Sequence, residues 1–293
     1  MRALAEFIMR GRMQAAVVAL IGTWFPLISP ATVAFVSMRR GTQDGTYVLC
    51  WALLPAVVSL FVSEYGPMMA FITLAAVIAT YIVALLLRTS SSWAYALMGL
   101  VALSTLSALL LTVFVSSPAE ELVKVLGNIL SQQGASSPAH KALNFEPTDT
   151  LVLGFVAYVL TWNGLLSLFL GRWWQAMLYN PEGFQSEFHA IRLKPSQAIV
   201  CLLSAVYCLS LGGDYQVWGS LFALPLFIAG LAIVHSSVKQ LGIGKGWLVL
   251  FYVALMLFSP MLLVLYSPLM VMLTIMAFMD TWINFRARIK PRS

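Results

Sequence analysis

The sequence predicts an all-α, polytopic integral membrane protein: a helical bundle of about eight full spans, preceded by an N-terminal broken or re-entrant helical hairpin. Three observations predict it. Of 293 residues, 60% are hydrophobic and only 10% are charged, against about 25% charged in an ordinary soluble domain. A water-soluble fold of this size cannot hide that much apolar surface, whereas runs of about 20 apolar residues, one bilayer crossing each, fill the chain. The basic residues sit at the ends of those runs. The net charge of +6 is therefore read as membrane orientation, not as attraction to nucleic acid.

The first apolar run begins near Met13, after Arg2, Arg10 and Arg12. This start imitates a signal peptide, but no small-residue cleavage site leads into a polar mature region, so the run is expected to be retained. The full spans are expected at about 46–63, 67–87, 93–115, 150–171, 196–212, 216–235, 247–265 and 268–285. The last two come from one nearly uncharged stretch, Trp247 to Phe285. At about 1.5 Å per residue that stretch is too long for a single crossing of about 30 Å. Tyr266-Ser267-Pro268 is the natural break. Residues 1–293 are read as a single membrane domain.

The segment 13–38 is different, because Pro26 and Pro30 interrupt it. Broken helices at membrane depth are tolerated only where protein or a cavity receives them. One kinked crossing from a cytoplasmic N-terminus would put Arg39, Arg40, Arg88, Arg172, Lys239 and Lys245 outside, against the positive-inside rule. A hairpin that enters and returns on one side makes all of these cytoplasmic, together with Arg192, Lys194 and the tail at Arg286, Arg288, Lys290 and Arg292. Glu64, Glu120, Glu121, Glu146, Asp149 and Asp214 then lie outside, with Lys124 and Lys141 the external bases. The charge pattern thus favours two half-helices, about 14–25 and 31–38, meeting near Pro26–Pro30, with both termini cytoplasmic.

Two irregular stretches remain. The external loop 116–148 opens with Ser117-Pro118-Ala119-Glu120, a capping box with proline at the first helical position. Leu122, Leu126, Ile129 and Leu130 follow as one apolar stripe, predicting a short helix that is either a solvated loop helix or a lid at the outer surface. The cytoplasmic element 172–195 carries Arg172, Trp173, Trp174, Tyr179, Phe184, Glu187 and Phe188 around the turn Asn180-Pro181-Glu182-Gly183. Tryptophan and tyrosine beside arginine fit an interfacial belt; they also fit a docking surface for a protein partner, since aromatics and arginine dominate binding hot spots.

At Pro26, Pro30, Arg40-Gly41, Gly171-Arg172-Trp173-Trp174-Gln175, Asn180-Pro181 and Gly183-Phe184 the chain resembles the YybS-like bacterial membrane proteins. That family is grouped with the S components of energy-coupling-factor transporters and with the cell-shape protein MreD. The resemblance covers most of the chain and implies a helical bundle of the bacterial inner membrane with a ligand cavity on its outer side. S components dock on their transporter partner through an Ala-x-x-x-Ala pattern in the first helix, and Ala15 and Ala19 match it.

Enzyme and metal chemistry find no support in the residues. Gly242-Ile243-Gly244-Lys245-Gly246 lacks the spacing and the preceding strand of a phosphate loop. His140, His189 and His235 form no ligand pair, and Cys50, Cys201 and Cys208 read as small buried hydrophobes. No cofactor is expected. Polar residues at membrane depth are better clues, because burying them is costly. Asn163, in Thr161-Trp162-Asn163, is expected to face the bundle interior, as helix glue or as ligand contact. Asp280 is expected to form a structural ion pair with an arginine such as Arg88 or Arg172. Two functions stay open: a membrane module binding a small amphiphilic, vitamin-like or lipid ligand for transport with a protein partner, or a non-transport scaffold in envelope or cell-shape assembly.

Overall fold

The computed structural model describes residues 1–25, 27–62, 66–132, 147–242, 244–258 and 268–288. Among these residues the regular structure is entirely helical. Expectations that rest on Pro26, Glu64, His140, Lys141, Glu146, Ile243, the Tyr266-Ser267 break, Lys290 and Arg292 lie outside the described residues, as do those on the side chains of Leu126, Ile129, Leu130 and Lys245.

Five helices are long and apolar enough to cross a membrane. These are α4 (Thr42–Val62), α5 (Gly66–Ser90), α6 (Trp93–Phe114), α8 (Asp149–Tyr179) and α11 (Gln216–Gln240). Three of the eight expected spans are shorter apolar helices: α10 (Pro195–Leu211), α12 (Lys245–Phe258) and α13 (Pro268–Ile283). Over the described residues they run for 17, 14 and 16 residues, about 21–26 Å, against a hydrocarbon layer of roughly 30 Å; α12 and α13 border residues 259–267, which lie outside the described residues. Eight full-length spans are therefore not what the described helices amount to.

The N-terminal region departs from expectation in detail. A separate helix, α1 (Arg2–Arg10), precedes α2 (Arg12–Ile21), with Gly11 extended between them. A 3-10 turn over Gly22–Trp24 follows, and then α3 (Ile28–Arg40). Pro30 does not break a helix. It is the third residue of α3, where a missing N–H has no intrahelical partner to lose. The half-helices are thus Arg12–Ile21 and Ile28–Arg40 rather than 14–25 and 31–38.

The chain divides into two compact units. The first comprises Met1–Ser90 and Gly99–Leu178. Here α2, α3, α4 and α5 pack on one another and α1 packs on α2. Their shared core includes Ile8, Ala15, Ala19, Phe35, Ala52 and Trp174. The Trp174 ring is 0% exposed and meets Phe35 edge-on, centroids 6.0 Å apart. α8 lies close on α3 because Gly171 has no side chain: a Cβ there would stand 3.0 Å from the Ala31 carbonyl oxygen and 3.2 Å from the Phe35 nitrogen. Within this unit α7 (Pro118–Gln132) is the predicted loop helix, and the Asp149 carboxylate accepts from the Ala119 N–H at 2.8 Å in its first turn.

The second unit comprises Ser91–Met98 and Tyr179–Ser293. α11 is its axis, packed against α10, α13 and the short α9 (Gly183–His189); α14 (Phe285–Arg288) closes it. Without water to drive association, such helices hold together by close packing at small residues. Gly230 of α11 is the tightest case, since a Cβ there would lie 2.5 Å from the Leu273 carbonyl oxygen of α13.

Gly230→Ala is expected to lower thermal stability in detergent by about 1–3 kcal/mol, because backbone must move. Gly127→Ala, where a Cβ meets nothing within 4 Å, should raise it by up to about 1 kcal/mol through helix propensity. Equal melting shifts for the two variants would contradict this packing.

Candidate functional site

The two ends of α3 are treated differently. Its carboxyl end is fully answered. Gly41 turns at φ +97°, a conformation open to glycine without a Cβ clash, and donates its N–H to the Ser37 carbonyl at 3.1 Å. The Arg88 guanidinium from α5 donates to the carbonyls of Ser37 and Met38 at 3.3 and 3.2 Å, a cation where the helix dipole is negative. Beside it, Asp44 pairs with Arg12 at 2.7 Å and with Arg40 at 3.4 Å, and Arg40 also donates to the Met9 carbonyl. The start of α2 and the end of α3 therefore meet, so the two half-helices run out and back as a hairpin.

The amino end of α3 is the opposite. Its N-cap is Leu27, left-handed at φ +72° and with no side chain able to cap. A non-glycine residue held there costs of order 1–3 kcal/mol, and such strain gathers at functional sites. The next residues, Ser29 and Pro30, are buried. The Ser29 Oγ, in a residue 2% exposed, has no hydrogen-bond partner among the described residues.

This end opens on a cavity of about 200 Å³ between the hairpin, α5 and α8. Gly22, Leu27, Ser29 and Pro30 line it from the hairpin, Thr73 and Val77 from α5, and Leu160 and Asn163 from α8. The Asn163 Oδ1 is buried and also lacks a hydrogen-bond partner among the described residues. Thr23 and Thr73 have spent their hydroxyl hydrogens on the carbonyls of Ala19 and Met69, at 3.3 and 2.9 Å. No charged side chain is among the residues lining the cavity.

Of the three residues expected to touch a ligand, the structure brings one to the cavity. Asn163 lines it; Thr161 and Trp162 do not. Thr161 is buried and donates to the Ala157 carbonyl at 2.9 Å, while the Trp162 ring lies edge-on to Tyr158, centroids 6.3 Å apart. The reason is angular. Adjacent residues on a helix point about 100° apart, so of these three consecutive residues only Asn163 shares the cavity face with Val159 and Leu160 one turn earlier. Ser29 was not singled out in the sequence. Its position just after the Pro26 break was the available signal.

The residues expected to meet a partner are distributed otherwise. Ala15 and Ala19 are 1% and 0% exposed and sit inside the first unit's core, so they form no free docking stripe. Trp174 is likewise interior, whereas Trp173 and Tyr179 are exposed. Arg172 donates to the Gln175 side chain at 2.7 Å. In the second unit Phe184 packs on Trp93 and on Phe188, centroids 6.2 and 6.4 Å apart. Phe188 meets His235 edge-on at 5.2 Å, and the Trp93 indole N–H donates to Glu187 at 3.3 Å. These rings are spent largely on their own unit.

Asp280 does form a buried ion pair, but not with the arginines expected. Arg88 is committed to α3 and Arg172 to Gln175. The Asp280 Oδ2, in a residue 1% exposed, faces Arg192 at 3.5 Å and Arg286 at 3.9 Å. Its Oδ1 accepts the Phe285 N–H at 2.8 Å. The two arginines then bind backbone. Arg192 donates to the Asp280 carbonyl at 2.6 Å, and Arg286 donates to the carbonyls of His189 and Ile191 at 2.7 and 2.6 Å. Burial presses Arg286 below the ordinary guanidinium pKa, with Asp280 opposing and Arg192 adding to the fall. His189 is pushed below the ordinary imidazole range by burial first, then by His235, Lys239 and Arg286.

The class these observations define is a multi-spanning α-helical membrane protein with a mainly apolar cavity, lined also by Thr23, Ser29, Thr73 and Asn163, at a helix hairpin. Compared with family models, curated proteins and solved structures, the chain matches none.

Two outcomes are expected in the second unit. Asp280→Ala should cost about 3–5 kcal/mol, since it leaves buried guanidinium charge uncompensated, seen as loss of monodisperse protein in detergent. His189 takes its proton more readily when undocked than when docked. The packing of α9 is thus fully stable above the unfolded imidazole pKa of about 6.5 and weakens as pH falls through it. Hydrogen exchange across 183–192 that is no faster at pH 5 than at pH 8, after correction for intrinsic rates, would count against this.

Proposed function

We propose that the chain is a multi-pass protein of the bacterial inner membrane, both termini cytoplasmic, that binds a small molecule in the hairpin cavity and passes it on with a membrane partner. It acts by binding rather than by catalysis. The observation that carries this reading is the cavity itself: about 200 Å³, with the Asn163 Oδ1 and the Ser29 Oγ both unpartnered beside it. A buried polar atom without a partner costs about 1–3 kcal/mol, and two of them bordering one space are what a site waiting for a ligand's polar groups looks like. The resemblance to YybS-like proteins and S components supports the same reading. The one-sided placement of arginine and lysine supports the orientation.

A scaffold role is the second reading. The exposure of Trp173 and Tyr179 at the end of α8 favours it; the interior position of Trp174, Ala15 and Ala19 counts against it.

The test is to purify the protein in lipid nanodiscs and survey retained small molecules by native mass spectrometry. Wild-type protein is expected to hold one small molecule per chain. Asn163→Leu should lose it while keeping its helical circular dichroism. If the two preparations retain the same molecules, or none, the binding reading fails and a partner-directed role takes its place.

A further inference from the structure

Given the binding role proposed above, we infer that the ligand is a compact monocarboxylate whose carboxylate sits at the amino end of α3. A helix N-terminus carries about half a positive elementary charge, and broken membrane helices use such ends to hold anionic groups of their substrates; at α3 the Ile28 N–H is already given to the Phe25 carbonyl at 3.2 Å and Pro30 has none, so the dipole and Ser29 are what this end offers. That alone would not make a site. Here Ser29 and Pro30 are buried while Leu27 and Ile28 are half-buried, and the N-cap is Leu27, which offers no capping oxygen. Polar N-cap side chains are the usual solution; a left-handed leucine at φ +72° leaves the position open to an oxygen from elsewhere. Independently, the Ser29 Oγ is buried, unpartnered and at the same wall of the cavity.

The remaining lining narrows the chemistry. No acidic side chain is present to balance a cation, and no lysine or arginine to balance a dianion such as a phosphate monoester. One partial positive pole matches one negative charge. With the Thr23 and Thr73 hydrogens already donated, the donors left for the ligand are the Ser29 hydroxyl and the Asn163 amide. A half-turn of that amide exchanges Oδ1 for Nδ2 at no change in shape. Ala76, Val77 and Leu160 offer an apolar wall for the body of the molecule. The volume is sufficient: a cavity of about 150 Å³ holds benzene, so about 200 Å³ holds a ring or short chain plus one carboxylate.

The probes are radiolabelled benzoate and hexanoate, with benzamide and hexanamide as neutral isosteres, measured by equilibrium binding to the full chain in nanodiscs. At least one acid is expected to bind saturably, with its amide at least about tenfold weaker, and Ser29→Ala should weaken the acid about tenfold. Leu27→Asp places a carboxylate at the N-cap itself. It should raise the melting temperature and abolish binding of the acid, a combination that misfolding does not produce. Acids and amides that bind equally, both lost in Asn163→Leu, would overturn the anion assignment and leave the binding role standing. If neither acids nor amides bind while Leu27→Asp leaves stability unchanged, the anion site is refuted. If native mass spectrometry then also finds no retained molecule, the binding role falls with it.

Discussion

A helix that stops inside a membrane must have its backbone polar groups answered by protein, because lipid cannot answer them. In the topology proposed above, that constraint organises the first unit. The chain ends α2 at Ile21 and restarts at Ile28, and each new helix end has to be met. The carboxyl end of α3 is met several times over, by Gly41 and by Arg88. The neighbouring junction is held by Asp44 between Arg12 and Arg40. These contacts fix the hairpin's outer frame rigidly. The cost of breaking a helix is then concentrated at the other end, where α5 and α8 stand back to leave a cavity.

The same economy explains the glycines. Gly171 lets α8 reach α3 at backbone distance, and Trp174, one turn further, fills the core against Phe35. The helix is thereby pinned on the cytoplasm-proximal side of the hairpin as oriented in the proposed topology. Asn163, two turns earlier on α8, sits at the cavity wall. The sharp positioning of one polar residue is thus a by-product of close packing elsewhere on the same rigid helix.

How much of this could be read from the sequence depends on range. Local chemistry was legible. The proline pair announced an interruption near this point, although Pro30 itself lies in the first turn of α3, one-sided arginines announced a hairpin, and a lone asparagine in an apolar run announced an inward-facing amide. Pairings between distant residues were not. Asp280 was recognisable as needing a cation, but Arg192 lies 88 residues away, and no periodicity distinguishes it from Arg88 or Arg172. The pairing of Asp44 with Arg12 is hidden in the same way. Aromatic residues misled for a related reason: Trp173 and Trp174 are adjacent, yet one is exposed and the other is core. Their composition is identical, and only the helix phase set by Gly171 separates them.

The buried charges of the second unit bear on how the molecule is made. α13 is apolar apart from Asp280 near its end, and a lone carboxylate at that depth has no place in lipid. It becomes tolerable once Arg192 is in place, because that guanidinium faces its carboxylate at 3.5 Å. Synthesis from the amino terminus supplies that order without further machinery: α10 and α11 are complete before α13 emerges, and α13 is then threaded into a prepared socket. Arg286, translated last among the three charges, closes the socket behind it by binding the carbonyls of His189 and Ile191. The final apolar helix is therefore a dependent one, unable to settle on its own, and its docking reports that the rest of the unit is in place.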